Sequence, residues 1–81
     1  MDFFIGDEIV YDGKKYMIMD NVLYKNKKYF FLSTTEKPIT GDVVEYKIEN
    51  DELYINNDMS DEIKKDVLLI IANNIKIKEN W

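Results

Sequence analysis

The feature that most constrains the fold is an internal echo, in which residues 11–19 (YDGKKYMIM) are followed 13 positions later by residues 24–32 (YKNKKYFFL). Each copy contains an aromatic residue, a polar turn, two lysines and a strand that opens with tyrosine. Asp12-Gly13 is a strong hairpin signal because glycine readily supplies the positive φ of a tight turn, and Asn26 can adopt the same backbone region. Two hairpins that share their middle strand form a β-meander, which is the structure that the echo predicts.

Alternation of apolar and polar residues extends this meander to about five strands. Residues 42–48 show it best, with Val44, Tyr46 and Ile48 on one face and charged residues on the other. We expect strands at residues 3–11, 15–23, 28–33, 42–48 and 52–56. The meander then spans residues 3–56 of a single domain that covers residues 1–81.

The apolar period becomes helical after residue 57. Asp58 or Ser60 can cap a helix there, and acidic residues in the first turn suit the helix dipole. The pattern predicts a helix over residues 60–74. The tail, residues 75–81, begins with alternating isoleucine and lysine, so it either adds a short edge strand or continues the helix.

The first three predicted strands are apolar on both faces. Met17 and Met19 oppose Tyr16 and Ile18, yet one helix can cover only one face of a sheet. The other face must be covered by strong curling, as in SH3-like barrels, or by a second chain. Asp20-Asn21 suits a bulge where such a strand bends. The expected fold class is therefore α+β, a strongly curved antiparallel β-meander with one C-terminal α-helix.

Composition argues against catalysis. The chain has no cysteine and no histidine, so disulfides, thiolate metal sites and the commonest general base are excluded. No glycine-rich phosphate loop or nucleophile motif is present. Alternating oxygen ligands from Asn56 to Glu62 resemble a calcium loop, but the glycine and the final glutamate that such a loop needs are missing, and a helix cap explains the same residues. We expect no enzyme activity, no cofactor and no metal.

The chain also lacks the features of a membrane or secreted protein. Its first residues have no basic segment before the apolar one, unlike a signal peptide. The longest apolar run, residues 67–72, is far shorter than the ~20 residues that span a bilayer. These observations predict a soluble, cytoplasmic protein that does not bind membranes.

Aromatic residues at the chain ends are candidates for a partner interface. Phe3, Phe4 and Trp81 lie where burial is hardest, and aromatic side chains often anchor interfaces. The alternative is that the ends pack onto the sheet. If these aromatic residues form an interface, the chain is a non-catalytic protein-binding or regulatory accessory protein. Its partner is then another protein or a second copy of the chain.

Acidic residues suggest a second function. The net charge of the chain is −5. The excess of acidic residues lies between residues 42 and 66, a segment with nine acidic residues and three lysines. The candidate acidic surface consists of Asp51, Glu52, Asp58, Asp61 and Glu62. A surface of this kind could mimic a nucleic-acid backbone, as in a phage-type inhibitor of bacterial defence. Direct nucleic-acid binding is not expected, because the total is acidic and the lysines flank turns at opposite ends of a shared strand.

Several segments together resemble a known family. The turn Asp12-Gly13-Lys14 with Tyr16, the segment Glu52-Leu53-Tyr54-Ile55 and the closing helix are similar in order and spacing to a family of short acidic proteins of Gram-positive bacteria, described as a domain of unknown function. The resemblance spans residues 5–72 and departs from the family in the lysine-rich second turn. It implies the same fold and no particular activity. The absence of arginine, with abundant isoleucine, lysine and asparagine, is typical of a low-GC Gram-positive bacterium or its phage.

Overall fold

The computed structural model describes residues 2–79, with side chains described for residues 2–73. Within this range the chain forms five strands and one helix: β1 (Glu8–Tyr11), β2 (Lys14–Tyr24), β3 (Lys27–Thr34), β4 (Gly41–Glu49), β5 (Glu52–Asn56) and α1 (Asp61–Glu79). The strands are antiparallel and lie side by side in chain order in a nearly closed, barrel-like sheet. The predicted α+β fold, a curved meander with one C-terminal helix, is confirmed.

Two-residue turns with positive φ connect three of the strand pairs. Asp12 and Gly13 have φ values of 52° and 75°, and Lys25 and Asn26 have φ values of 50° and 65°. Both residues of the β4–β5 turn are also positive in φ. Turns of this kind match the right-handed twist of the flanking strands. The echo in the sequence is therefore repeated turn chemistry, as predicted.

A bulge in β2 decides which side chains face inward. The register with β3 slips between Ile18 and Asp20, so Met19 is the extra residue. Ile18 is in the inner core, and three residues later the exposed Asn21 lies opposite Phe30 on the same face of the sheet. Its Oδ1 accepts a hydrogen bond from the hydroxyl of Tyr46 at 2.8 Å. The bulge thus begins one residue earlier than the predicted Asp20-Asn21.

The concave face of the sheet encloses one apolar core. Its buried members come from the first four strands, and partly buried side chains of β5 close it: Ile9, Ile18, Phe30, Leu32, Val44 and Tyr46, with Leu53 and Ile55. The rings of Phe30 and Tyr46 stack with centroids 3.6 Å apart. Curling of the sheet therefore covers this face, and no second chain is needed to do so.

The convex face forms a second core with α1. Val67 and Ile71 of the helix pack against Val22, Tyr29 and Val43 of the sheet. Two polar contacts hold the helix on either side: the Tyr24 hydroxyl donates to Asp66 Oδ2 at 2.7 Å, and Lys64 Nζ lies 3.4 Å from Asp42 Oδ1. The helix therefore covers the part of the convex face that Val22, Tyr29 and Val43 form.

The start of α1 agrees with the cap prediction. Ser60 is the cap, because its Oγ accepts from the Ile63 N–H at 3.3 Å and its carbonyl accepts from the Lys64 N–H at 3.1 Å. Asp58 instead closes a short turn with Asn56, whose Oδ1 accepts the Asp58 N–H at 2.9 Å. The predicted cap is therefore present, preceded by a short turn at Asn56–Asp58.

The structure decides between the two alternatives for the tail, and one predicted strand boundary is wrong. The helix continues past the predicted residue 74 to Glu79, so residues 75–79 extend the helix and do not form an edge strand. Asparagine lowers helix propensity only slightly, and extending an existing helix is much easier than starting one. The first strand begins at Glu8 rather than residue 3, because the chain makes a turn at Phe4–Asp7.

Alkaline pH is expected to destabilise the fold through its tyrosines. Burial raises the pKa of Tyr46 above its ordinary value of 10.0, and the hydrogen bond to Asp66 raises the pKa of Tyr24. A raised pKa means that the folded state holds the phenol proton more tightly than the unfolded state does. This stabilisation is complete below about pH 10 and is lost as the pH rises through the folded pKa.

Urea unfolding measured at intervals from about pH 8 to pH 11 tests this effect. The free energy of unfolding of the wild type should fall over the upper part of the range, and that of Tyr46→Phe should fall less steeply. The lysines titrate in both proteins, so the difference between the two slopes isolates Tyr46. Parallel slopes would contradict the assignment.

Candidate functional site

A tight turn near the N-terminus presents two large apolar side chains. Gly6 has a φ of 96°, as the third residue of a type II turn requires, and the Asp7 N–H donates to the Phe4 carbonyl at 3.0 Å. The Asp7 side chain also accepts from the Phe4 N–H at 2.8 Å. The Gly6 N–H donates to the Ile18 carbonyl at 2.8 Å, which fixes the turn to β2.

This turn leaves Phe4 66% exposed and Ile5 62% exposed. Phe3 behaves differently, since it packs on the inner core with its ring edge-to-face to Phe30, at a centroid distance of 6.0 Å. Of the three predicted interface aromatics, Phe3 therefore supports the core and Phe4 faces solvent. Trp81 lies outside the described residues. Ile5 is not among the predicted site residues, because an aliphatic side chain near a chain end does not by itself indicate an interface.

Two further exposed apolar residues flank the turn on β1 and β2. Val10 and Met19 are both exposed, and Met17, opposite Glu8 in the register, is partly buried between them. The bond from Gly6 to Ile18 brings the N-terminal turn to the Met19 end of this row. We call Phe4, Ile5, Val10 and Met19 the apolar strip. It follows the β1–β2 pair for about four residues, or roughly 13 Å.

The outer edge of β1 lies beside this strip. The Ile18 N–H donates to the Asp7 carbonyl at 2.9 Å, and Glu8 lies opposite Met17. This arrangement makes Glu8 and Val10 non-hydrogen-bonded positions, so their backbone N–H and C=O groups point away from β2. Within residues 2–79, β1 has β2 as its single strand neighbour. The edge therefore offers backbone donors and acceptors next to apolar side chains.

The five predicted acidic residues lie at two separate places. Asp51 lies in the β4–β5 turn and Glu52 begins β5, whereas Asp58, Asp61 and Glu62 surround the start of α1. The length of β5, about 13 Å, separates the two groups along the chain. Glu52 also accepts a hydrogen bond from the Tyr54 hydroxyl at 2.9 Å. All five side chains are exposed, but the structure does not bring them into one cluster.

Neither metal ligands nor a membrane span are found where the structure describes the chain. No group of three or more acidic side chains there is placed to hold a metal ion. The described helix is not long and apolar enough to cross a bilayer. The apolar strip is one of the exposed apolar features of the described surface that the packing of the fold does not explain.

Comparisons with models of protein families, with curated proteins and with solved structures found no match for this chain. The resemblance to the family of short acidic proteins stays a prediction.

Proposed function

We propose that this protein is a non-catalytic accessory protein that binds another protein through the apolar strip. The observation that carries the proposal is the N-terminal turn, which holds Phe4 and Ile5 more than 60% exposed by means of defined hydrogen bonds. Exposed apolar side chains scattered singly need no explanation, but Phe4 and Ile5 are adjacent and the hydrogen bonds of the turn hold their backbone in one conformation, which is typical of an interaction site.

The geometry suits the anchors of an interface. Burying a large apolar side chain completely contributes about 1.5–3 kcal/mol, and both Phe4 and Ile5 keep most of that gain for a partner. The hydrogen bonds of the turn already order the backbone that carries them, so binding a partner does not have to order that backbone. The β1 edge beside them could in addition pair with an extended segment of the partner.

Catalysis is left out of the proposal because of the residues that the chain lacks. It contains no histidine, cysteine or arginine, so its serines and threonines have no imidazole base to activate them. Tyr11, Tyr24 and Tyr46 have raised pKa values, which makes them weaker acids than an ordinary tyrosine. These features support a binding role.

A pair of double variants tests the apolar strip. F4S/I5S removes the two anchors, and L68S/L69S removes two apolar side chains of similar exposure, 44% and 54%, from α1. We expect a protein captured from a native lysate by the wild type to be retained by L68S/L69S and reduced at least about tenfold by F4S/I5S. Sedimentation of the same proteins shows whether the partner is a second copy of the chain.

The salt dependence of the captured complex adds an independent criterion. An apolar interface should survive a rise from low to high salt, whereas acidic mimicry of nucleic acid should not. Capture that is unchanged in F4S/I5S and lost at high salt would overturn the proposal in favour of the phage-type inhibitor.

A further inference from the structure

A cleft lies at the end of the barrel where the β1–β2 turn meets the β3–β4 loop. Its volume is about 460 Å³, within the usual range for small-molecule sites. Three lysines contribute to its lining: Lys14 and Lys15 from the start of β2 and Lys37 from the loop. Glu36 is the acidic residue of the lining. In a protein of net charge −5, this cleft is locally positive.

The three lysines of the cleft are unpaired within the described structure, since the ion pairs found there involve other lysines. A second lysine-lined cleft, beside the β2–β3 turn, provides the contrast. There Lys27 lies 3.7 Å from Glu45, and the neighbouring Lys47 lies 3.2 Å from Glu49. The two turns have nearly the same sequence, but within residues 2–79 none of the lysines that line the first cleft forms an ion pair. At the second cleft Lys27 and Lys47 each form one and Lys28 does not.

The loop that forms the other wall of the cleft is held in place. The Thr34 N–H donates to the Thr40 carbonyl at 2.9 Å, and the Thr40 N–H donates back to Thr34 Oγ1 at 2.9 Å. The Thr34 hydroxyl donates to the Pro38 carbonyl at 3.2 Å. Thr35 and Thr40 also line the cleft, and in the described residues their hydroxyls make no hydrogen bond. Lys14 and Lys15 are consecutive in β2, so their side chains start on opposite faces of the strand at the edge of the cleft. The lining thus contains three lysines, one glutamate and two threonine hydroxyls that make no hydrogen bond in the described residues.

We propose that this cleft binds the polyphosphate group of a small molecule, that is, two or more linked phosphates. Each phosphate brings several acceptor oxygens and at least one negative charge, which matches ammonium and hydroxyl donors that have no acceptors of their own. A single carboxylate would leave most of these donors unused. An extended polyanion such as DNA is disfavoured, because the acidic β4–β5 turn and helix start would repel it.

The proposal can be tested on the full chain by titration with inorganic pyrophosphate at constant ionic strength, followed by amide chemical shifts. A parallel titration with a nucleoside diphosphate distinguishes the source of the phosphates: tighter binding indicates a nucleotide, and equal binding indicates that the phosphates alone are recognised. Shifts confined to residues 13–15 and 34–40 are the expected result in both titrations.

Matched variants exploit the internal echo. K14Q/K15Q/K37Q removes the lysines of the cleft, and K25Q/K27Q/K28Q removes three lysines from the corresponding second turn, so both variants have the same net charge. We expect the first variant to weaken pyrophosphate binding by about thirtyfold or more, at roughly three- to tenfold per lysine, and the second to change it by less than about twofold.

Four outcomes would overturn the proposal. The first is the absence of shifts at millimolar pyrophosphate. The second is equal binding of sulfate, which would show a general response to anions. The third is tighter binding of a short polyglutamate peptide, which would assign the cleft to acidic protein segments. Equal weakening by the two lysine variants would likewise show that net charge alone is responsible.

Discussion

Replacing Phe30 by alanine is expected to lower the free energy of unfolding by about 3–5 kcal/mol, the range for deleting a buried phenylalanine. Phe30 is fully buried in the inner core. Its ring stacks on Tyr46 and receives the edge of Phe3, so alanine would leave a cavity bordered by two aromatic rings. A domain of this size has about 4–12 kcal/mol of total stability, and much of the variant should therefore be unfolded.

Urea denaturation followed by circular dichroism measures this loss, with Phe4→Ala as the control. Phe4 lies in the N-terminal turn before β1 and is largely exposed. Its replacement should therefore change the free energy of unfolding by no more than about 0.5 kcal/mol. Similar stabilities for the two variants would show that Phe30 is not at the centre of the core.

Replacing Val67 by aspartate is expected to detach α1 from the sheet. Val67 is fully buried between the helix and the convex face, and the structure places no cation beside it among the residues that pack there. Burying an unpaired carboxylate costs several kcal/mol. The helix should therefore separate from the sheet, and a loss of about 3–5 kcal/mol is expected for the whole domain.

Leu69→Asp is the matched control, because it makes the same kind of change on an exposed position of the same helix. Its cost should be limited to helix propensity, below about 1 kcal/mol. Hydrogen exchange adds a local readout: amides of α1 should lose protection in Val67→Asp and keep it in Leu69→Asp. Retained protection in Val67→Asp would contradict the packing of α1 described above.

The meander could be predicted because its signals are local. Turn residues such as Asp12-Gly13, and the alternation around Tyr46, depend on a few neighbouring positions, and the structure confirms both. The curvature could also be predicted without knowledge of distant contacts, because the strands are apolar on two faces and one helix covers only one of them. For these features, local propensity and global packing favour the same structure.

The remaining features depend on contacts that a pattern along the chain does not show. The turn at Phe4–Asp7 is fixed by Ile18, a residue of the next strand, so apolar alternation alone extended β1 too far. Phe3 and Phe4 have similar chemistry, but their neighbours in the fold give them different surroundings. The lysine cleft joins residues 13–15 to residues 34–40, two segments whose proximity depends on the register of β2 and β3.

The extra residue at Met19 lets one strand serve two layers of the molecule. Tyr16, Ile18, Val22 and Tyr24 all have even numbers, and an unbroken strand would direct all four side chains to the same side. The first pair packs on the interior of the barrel and the second pair on the helix. The one inserted residue, and not the choice of side chains, thus directs the first pair to the barrel and the second pair to the helix. Deleting that residue would turn Val22 and Tyr24 away from α1, which would lose two of the side chains that it covers.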